Sequence, residues 1–254
     1  MENIKISKEK LMKMKDWIIF ILLFFWMVLP ILQTFRWVYK VLYLRKSYFY
    51  FMRIIGGTGI GLSVFTIYDK IRKSDNKKKT IKELIPIGVF TLYMIWTLIS
   101  CIFSPDRYRA FHGNYYRQEG YFMYLNYAGY FLCAFLLENK KLRKILLNTF
   151  IIASLFLIMV TGVSLISETC NEFFMNNDID KAVFAQFNHY GYYLMMSLMC
   201  SAMLFITEKN KILKVLYLIS FTIIGAWLIY NNTFGCYLAT SIVLILYVIY
   251  SLIL

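Results

Sequence analysis

The chain has 254 residues, 60% of them hydrophobic, and a formal net charge of +14. A soluble domain carries roughly 45–50% apolar residues; here the excess comes in runs of about 20 residues, the length that crosses a bilayer core as a helix. An ordinary soluble fold is excluded, and continuous rather than alternating runs argue against a barrel.

The expected architecture is all-α: a polytopic transmembrane bundle of about eight spans with a cytoplasmic N-terminus. The positive charge lies in short segments between apolar runs, which is the positive-inside pattern rather than a nucleic-acid surface. Met1 to Lys15 reads as a basic cytoplasmic tail, and residues 16–254 as the transmembrane domain. The first span covers about Trp17 to Phe35. It lacks a small-residue cleavage site and so reads as a signal anchor. Arg36 to Lys46 follows, basic and without an acid.

The second span, about Ser47 to Tyr68, contains Gly56, Gly57, Gly59 and Gly61. No strand precedes them and no Lys-Ser/Thr follows, so this is not a phosphate loop. Gly57 and Gly61, four apart, are expected to allow close helix contact in the membrane. Asp69 to Glu83 is dense in lysine and is the strongest cytoplasmic marker. The third span is about Leu84 to Phe103, with Pro86 in its first turn, where proline is tolerated. The fourth is about Tyr121 to Leu137 and the fifth about Ile145 to Ile166, joined by the basic turn Asn139 to Lys144. The sixth, seventh and eighth cover about Tyr190 to Ile206, Val215 to Tyr230 and Gly235 to Leu254.

Counting crossings from an internal tail places residues 69–83, 139–144 and 207–214 inside. Residues 104–120, 167–189 and 231–234 then fall outside. So does 36–46, whose positive charge dissents from the pattern. Tyr250 to Leu254 lies inside an apolar run with no polar tail after it, from which further spans downstream are expected.

The outer segments hold the polar groups with chemical potential. Ser104 to Gly120 contains Arg107, Arg109, Arg117, His112, Asp106 and Glu119. A guanidinium fork suits phosphate and diphosphate bidentately. Arg107 and Arg109 suit lipid headgroups first, or such a ligand. Arg117 lies between two glycines and beside tyrosines, which reads as a positioned cation. Glu119 would orient it, act as a base, or form only an exposed pair. Nothing in the sequence supplies His112 with a partner.

Asn188 and His189 open the sixth span, where they cap the helix or meet a ligand. Thr233 sits in the tight turn Asn231 to Phe234, as a cap or as part of a site. The histidines have no carboxylate at ligand spacing, and the five cysteines are scattered without a CxxC, so neither a metal nor a cofactor is expected. Arg53 is the one charge within a span. A transporter usually needs more such groups.

These segments resemble the bacterial O-antigen ligase and polymerase superfamily. Ser104-Pro105, Ala110 with Gly113, and Arg117-Gln118-Glu119-Gly120 are similar to its outer-loop motif. Phe184, Asn188, Tyr193 and Leu194 match a second motif, with Ala182 and Gln186 departing from it. Thr233 and Gly235 match a third, whose Ser-Arg is absent here. The resemblance implies a multi-pass glycosyltransferase of the bacterial cytoplasmic membrane, with more spans and a large outer loop beyond this portion. It would act on a polyprenyl-diphosphate-linked glycan, with membrane lipid as its other partner and no nucleic acid. Arg117 and Glu119 would carry the chemistry. Arg107, Arg109, Lys46, Asn188, His189 and Thr233 would contact diphosphate or glycan. A flippase, another carrier or an inactive fragment is the competing reading.

Overall fold

The computed structural model describes residues 8–35, 47–72, 74, 76–113, 120–167, 169–170, 172 and 187–253. Among them the chain is helical, without a strand. The helices are α1 (Lys8–Gln33), α2 (Ser47–Arg72), α3 (Lys77–Ile102), α4 (Arg107–His112), α5 (Tyr121–Leu136), α6 (Lys140–Ile166), α7 (Phe187–Thr207), α8 (Lys211–Tyr230) and α9 (Phe234–Ile253). Four of them, α3, α6, α7 and α8, are long and apolar enough to cross a membrane; Phe234–Ile245 is a shorter apolar stretch. At 1.5 Å per residue the 16 residues of α5 reach about 24 Å, short of a hydrocarbon core of about 30 Å.

Three helices begin on an asparagine that precedes a lysine. Asn76 accepts from the Lys79 amide of α3 at 3.1 Å. Asn139 accepts from Lys141 and Leu142 at the start of α6. Asn210 accepts from Ile212 and Leu213 at the start of α8. The amide oxygen satisfies amides that the first helical turn cannot. The lysines oppose the helix dipole by less than about 1 kcal/mol each. α3 therefore starts well before Leu84, and Pro86 lies inside the helix rather than in its first turn.

The chain divides into two compact units. The first comprises Met1–Leu23 and Lys46–Arg143. Within it α2 and α5 run parallel with their backbones almost touching. Gly56 lies against Asn126 and Gly129, and Gly59 against Gly129 and Cys133. A Cβ added at Gly56 would come within 2.6 Å of the Asn126 Cα. Gly57 and Gly61, expected to make the close contact, have nothing within 4 Å. α3 runs antiparallel to α5, with Phe90 on Phe131 at 4.5 Å between ring centroids. Lys70 pairs with Glu83 at 2.9 Å across the α2–α3 turn.

α1 has no break where the basic tail was expected to end. Lys15 and Asp16 are buried beside the α5–α6 turn. The Lys15 ammonium donates to the Leu136 carbonyl at 3.2 Å. The Asp16 carboxylate accepts from the Asn139 amide at 2.9 Å. A cation thus meets the carbonyl end of α5 and an anion the amide end of α6, both favourable to the helix dipoles.

The second unit comprises Phe24–Arg45 and Lys144–Leu254. Its core is the α6–α7–α8 seam: Phe150, Leu157, Tyr190, Tyr193, Leu194, Leu198, Ile224 and Leu228. Phe150 meets Tyr193 edge to face at 4.7 Å. Ser154 lies beside the Tyr193 hydroxyl, and Thr161 and Trp227 beside that of Tyr190. At the lysine-bearing end, Lys144 pairs with Glu208, and Tyr217 donates to Asn148 at 2.9 Å. Lys144 above all, then the amides of Asn210 and Lys209, holds the Glu208 carboxyl down to about 2.

Candidate functional site

In unit 1 the polar segment after α3 folds into the short helix α4. Asp106 caps it by accepting from the Arg109 amide at 3.0 Å. Its inner face is tied down by Cys101, whose thiol approaches the Ala110 carbonyl at 3.5 Å, and by Phe111 packed on Tyr121 and Phe122. Gly113 closes the helix at φ 80, a left-handed value that favours glycine. Gly120 then starts α5 directly against Gly113 and Phe111, so close that a Cβ there would strike their backbone. The segment that carries Arg117 and Glu119 thus begins and ends on two glycines in contact. Arg117 and Glu119 themselves lie outside the described residues, as does Lys46. Because α2 runs parallel to α5, the start of α2 lies at the same end of unit 1 as α4.

Arg107 and Arg109 are exposed on α4 and form no ion pair among the described residues. The partner that the sequence did not offer His112 comes from the fold. Its ring stacks on Tyr108 at 4.4 Å and 20°, and meets Phe122 edge-on at 5.1 Å. His112 Nδ1 lies 3.1 Å from the Tyr108 carbonyl oxygen. A carbonyl only accepts, so Nδ1 carries the proton in this contact.

In unit 2 the structure brings two of the predicted segments together. Asn188 and His189 are exposed on the first turn of α7. Two residues on, Gly191 packs against the turn between α8 and α9: a Cβ there would meet the Thr233 hydroxyl at 2.7 Å. Thr233 is buried; its hydroxyl accepts from the Asn231 amide at 2.7 Å, and its carbonyl accepts from Cys236 and Tyr237 as α9 begins. Asn232 adopts φ 50, which asparagine tolerates. Tyr237 straps the turn by donating to the Ile229 carbonyl at 2.6 Å. So Thr233 holds a turn, while Asn188 and His189 are exposed at the start of α7.

Arg107 and Arg109 belong to unit 1, and Asn188, His189 and Thr233 to unit 2. The residues missed from the sequence are Gly191 and Tyr108, and the contact of Gly113 with Gly120 was not foreseen. A glycine inside the apolar His189-Tyr190-Gly191-Tyr192 run was the available signal for a close backbone approach. Among the described residues no three His, Cys, Asp or Glu side chains gather as metal ligands would. No protein-family model, curated protein or solved structure matches the chain.

Proposed function

We propose that the protein is a membrane glycosyltransferase of the O-antigen ligase and polymerase type. It transfers or polymerises a glycan carried on polyprenyl diphosphate, at the outer face of a bacterial cytoplasmic membrane. In this reading α1, α2, α3, α5, α6, α7, α8 and α9 are eight spans, and the N-terminus is cytoplasmic. Arg117 holds the diphosphate and offsets the charge on the leaving group. Glu119 orients Arg117 or takes the acceptor proton. Arg107, Arg109 and Lys46 add positive charge for the diphosphate. Asn188, His189 and the Thr233 turn contact the glycan.

The observation that carries the reading is the meeting of Gly191 with Thr233 and Asn231. Two segments that resemble one family's motifs, some 40 residues apart in the chain, share a single small contact. The Gly113–Gly120 contact supports it further, since it fixes the two residues that flank the Arg117 segment in the sequence.

The test is transfer from a polyprenyl-diphosphate-linked oligosaccharide in proteoliposomes. Arg117→Ala is expected to lower the rate at least about 100-fold, the scale of losing one charge-stabilising donor. Wild-type rates in that variant remove the assignment. Orientation is tested by a reporter fused after Gly113. Activity from a periplasm-dependent reporter is expected, and activity only from a cytoplasm-dependent one overturns the topology.

A further inference from the structure

We infer that Tyr108 is a sugar-stacking face, a binding position for the pyranose rings of a glycan. The inference rests on the reading of a glycan substrate and names where on unit 1 the sugar lies. Tyr108 is 75% exposed, yet it is not loose. One face of its ring is covered by His112, whose ring is in turn wedged against Phe122. The His112 Nδ1 contact with the Tyr108 carbonyl locks the pair in register. The helix below is fixed by the Asp106 cap, the Cys101–Ala110 approach and the Gly113–Gly120 clasp. Among the described residues no second ring lies on Tyr108.

A pyranose presents a flat patch of C–H groups on one side and a rim of hydroxyls around it. The C–H patch suits the electron-rich face of an aromatic ring. The hydroxyl rim, or a phosphate linked to the sugar, suits guanidinium donors. Tyr108 has such donors on both sides in the chain, the exposed Arg107 and Arg109. A ring already held in its bound orientation loses little entropy on binding. Phe103 and Trp96, also widely exposed, have no stacked ring among the described residues and no neighbouring arginine in the sequence. They suit the aromatic belt of a bilayer interface, which needs neither a stacked support nor flanking cations.

The test uses the full chain in proteoliposomes, with Tyr108→Trp as an emitting probe read as the difference from wild type. Cellotetraose and chitotetraose are added, since both expose the C–H faces that a stack reads. A shift in emission with either sugar, without quenching by dibrominated phosphatidylcholine, is expected. No shift with both sugars, or quenching by the brominated lipid, overturns the inference and returns Tyr108 to the bilayer interface. In the transfer assay, Tyr108→Ala is expected to raise KM for the lipid-linked glycan about tenfold, the size of one aromatic contact. kcat should be little changed, and Tyr108→Phe should restore KM. An unchanged KM in Tyr108→Ala also overturns it. If the wild-type chain transfers no glycan, the enzyme reading fails by itself, and the emission arm still decides the stack.

Discussion

The α2–α5 crossing and the α6–α7 seam hold helices together in opposite ways. In the first, glycines remove side chains altogether, and the backbones of Gly56, Gly59 and Gly129 meet. In the second, large side chains interlock: Phe150 on Tyr193, with hydroxyls of Ser154 and Thr161 beside the buried tyrosines. In the proposed eight-span reading both pairs lie among lipid tails as apolar as leucine, and neither would be driven together by the hydrophobic effect that operates in water. Close dispersion contact and polar bridging remain, and each crossing relies chiefly on one of them. The first therefore has no room for an added atom, whereas the second is divided among contacts that fail one at a time.

The largest test of that contrast is Gly129→Val. Its Cβ would run into the Gly56 backbone, which cannot move aside as a flexible side chain would. A loss of about 3 kcal/mol is expected, seen as a lower unfolding midpoint in detergent. Gly191→Ala comes next, at about 2 kcal/mol. It should also lower glycan transfer, because the Thr233 turn must shift away from α7. Gly225→Ala is its control, since the added Cβ meets only the end of Leu198 at 3.6 Å. In the α6–α7 seam, Tyr193→Phe removes a hydroxyl without the ring and should cost about 1 kcal/mol. Gly57→Ala and Gly61→Ala fall on the open side of α2 and should stabilise it by about 0.5–1 kcal/mol each. Destabilisation there would mean that the wrong glycine pair has been placed against α5.

The smallest effect is one of pH. Glu208 has its carboxyl lowered in the folded state to about 2 from an ordinary 4.5. A lowered carboxylate contributes stability that is fully present above its unfolded value and fades as the pH falls through its folded one. Thermal midpoints should therefore drop between about pH 4.5 and pH 2. Lys144→Met should flatten that drop, because Lys144 is the main cause of the shift.

Much of the fold was legible because bilayer physics acts on composition. Continuous apolar runs of the right length found α3, α6, α7 and α8. The basic segments between them marked one end of each unit, within which Lys70 meets Glu83 and Lys144 meets Glu208. Helix starts were less legible. The repeated Asn-Lys step at Asn76, Asn139 and Asn210 is a capping signal, but it sits in lysine-rich stretches that read as solvated turns. Lys15 and Asp16 were hidden for a related reason. A charge at the edge of a basic tail looks solvated until a helix end arrives to be capped by it.

The candidate site divides in the same way. Composition alone marked Arg107, Arg109, Asn188, His189 and Thr233 as polar groups at the ends of apolar runs, since a charge or amide is costly in hydrocarbon wherever the chain folds. What each touches was not local information. Gly57 and Gly61 share the four-residue spacing that favours close packing, yet Gly56 and Gly59 are the pair in use, because a helix has several faces and its neighbour selects one. Asn126 and Gly129 made that selection, just as Thr233 selected Gly191 and Phe122 gave His112 a support. The sequence by itself determined which segments are helical and apolar and which polar groups flank the apolar runs, for these follow from short-range periodicity and transfer energy. Only the tertiary structure decided which glycines, rings and hydroxyls meet, because that depends on the facing surface of a second helix.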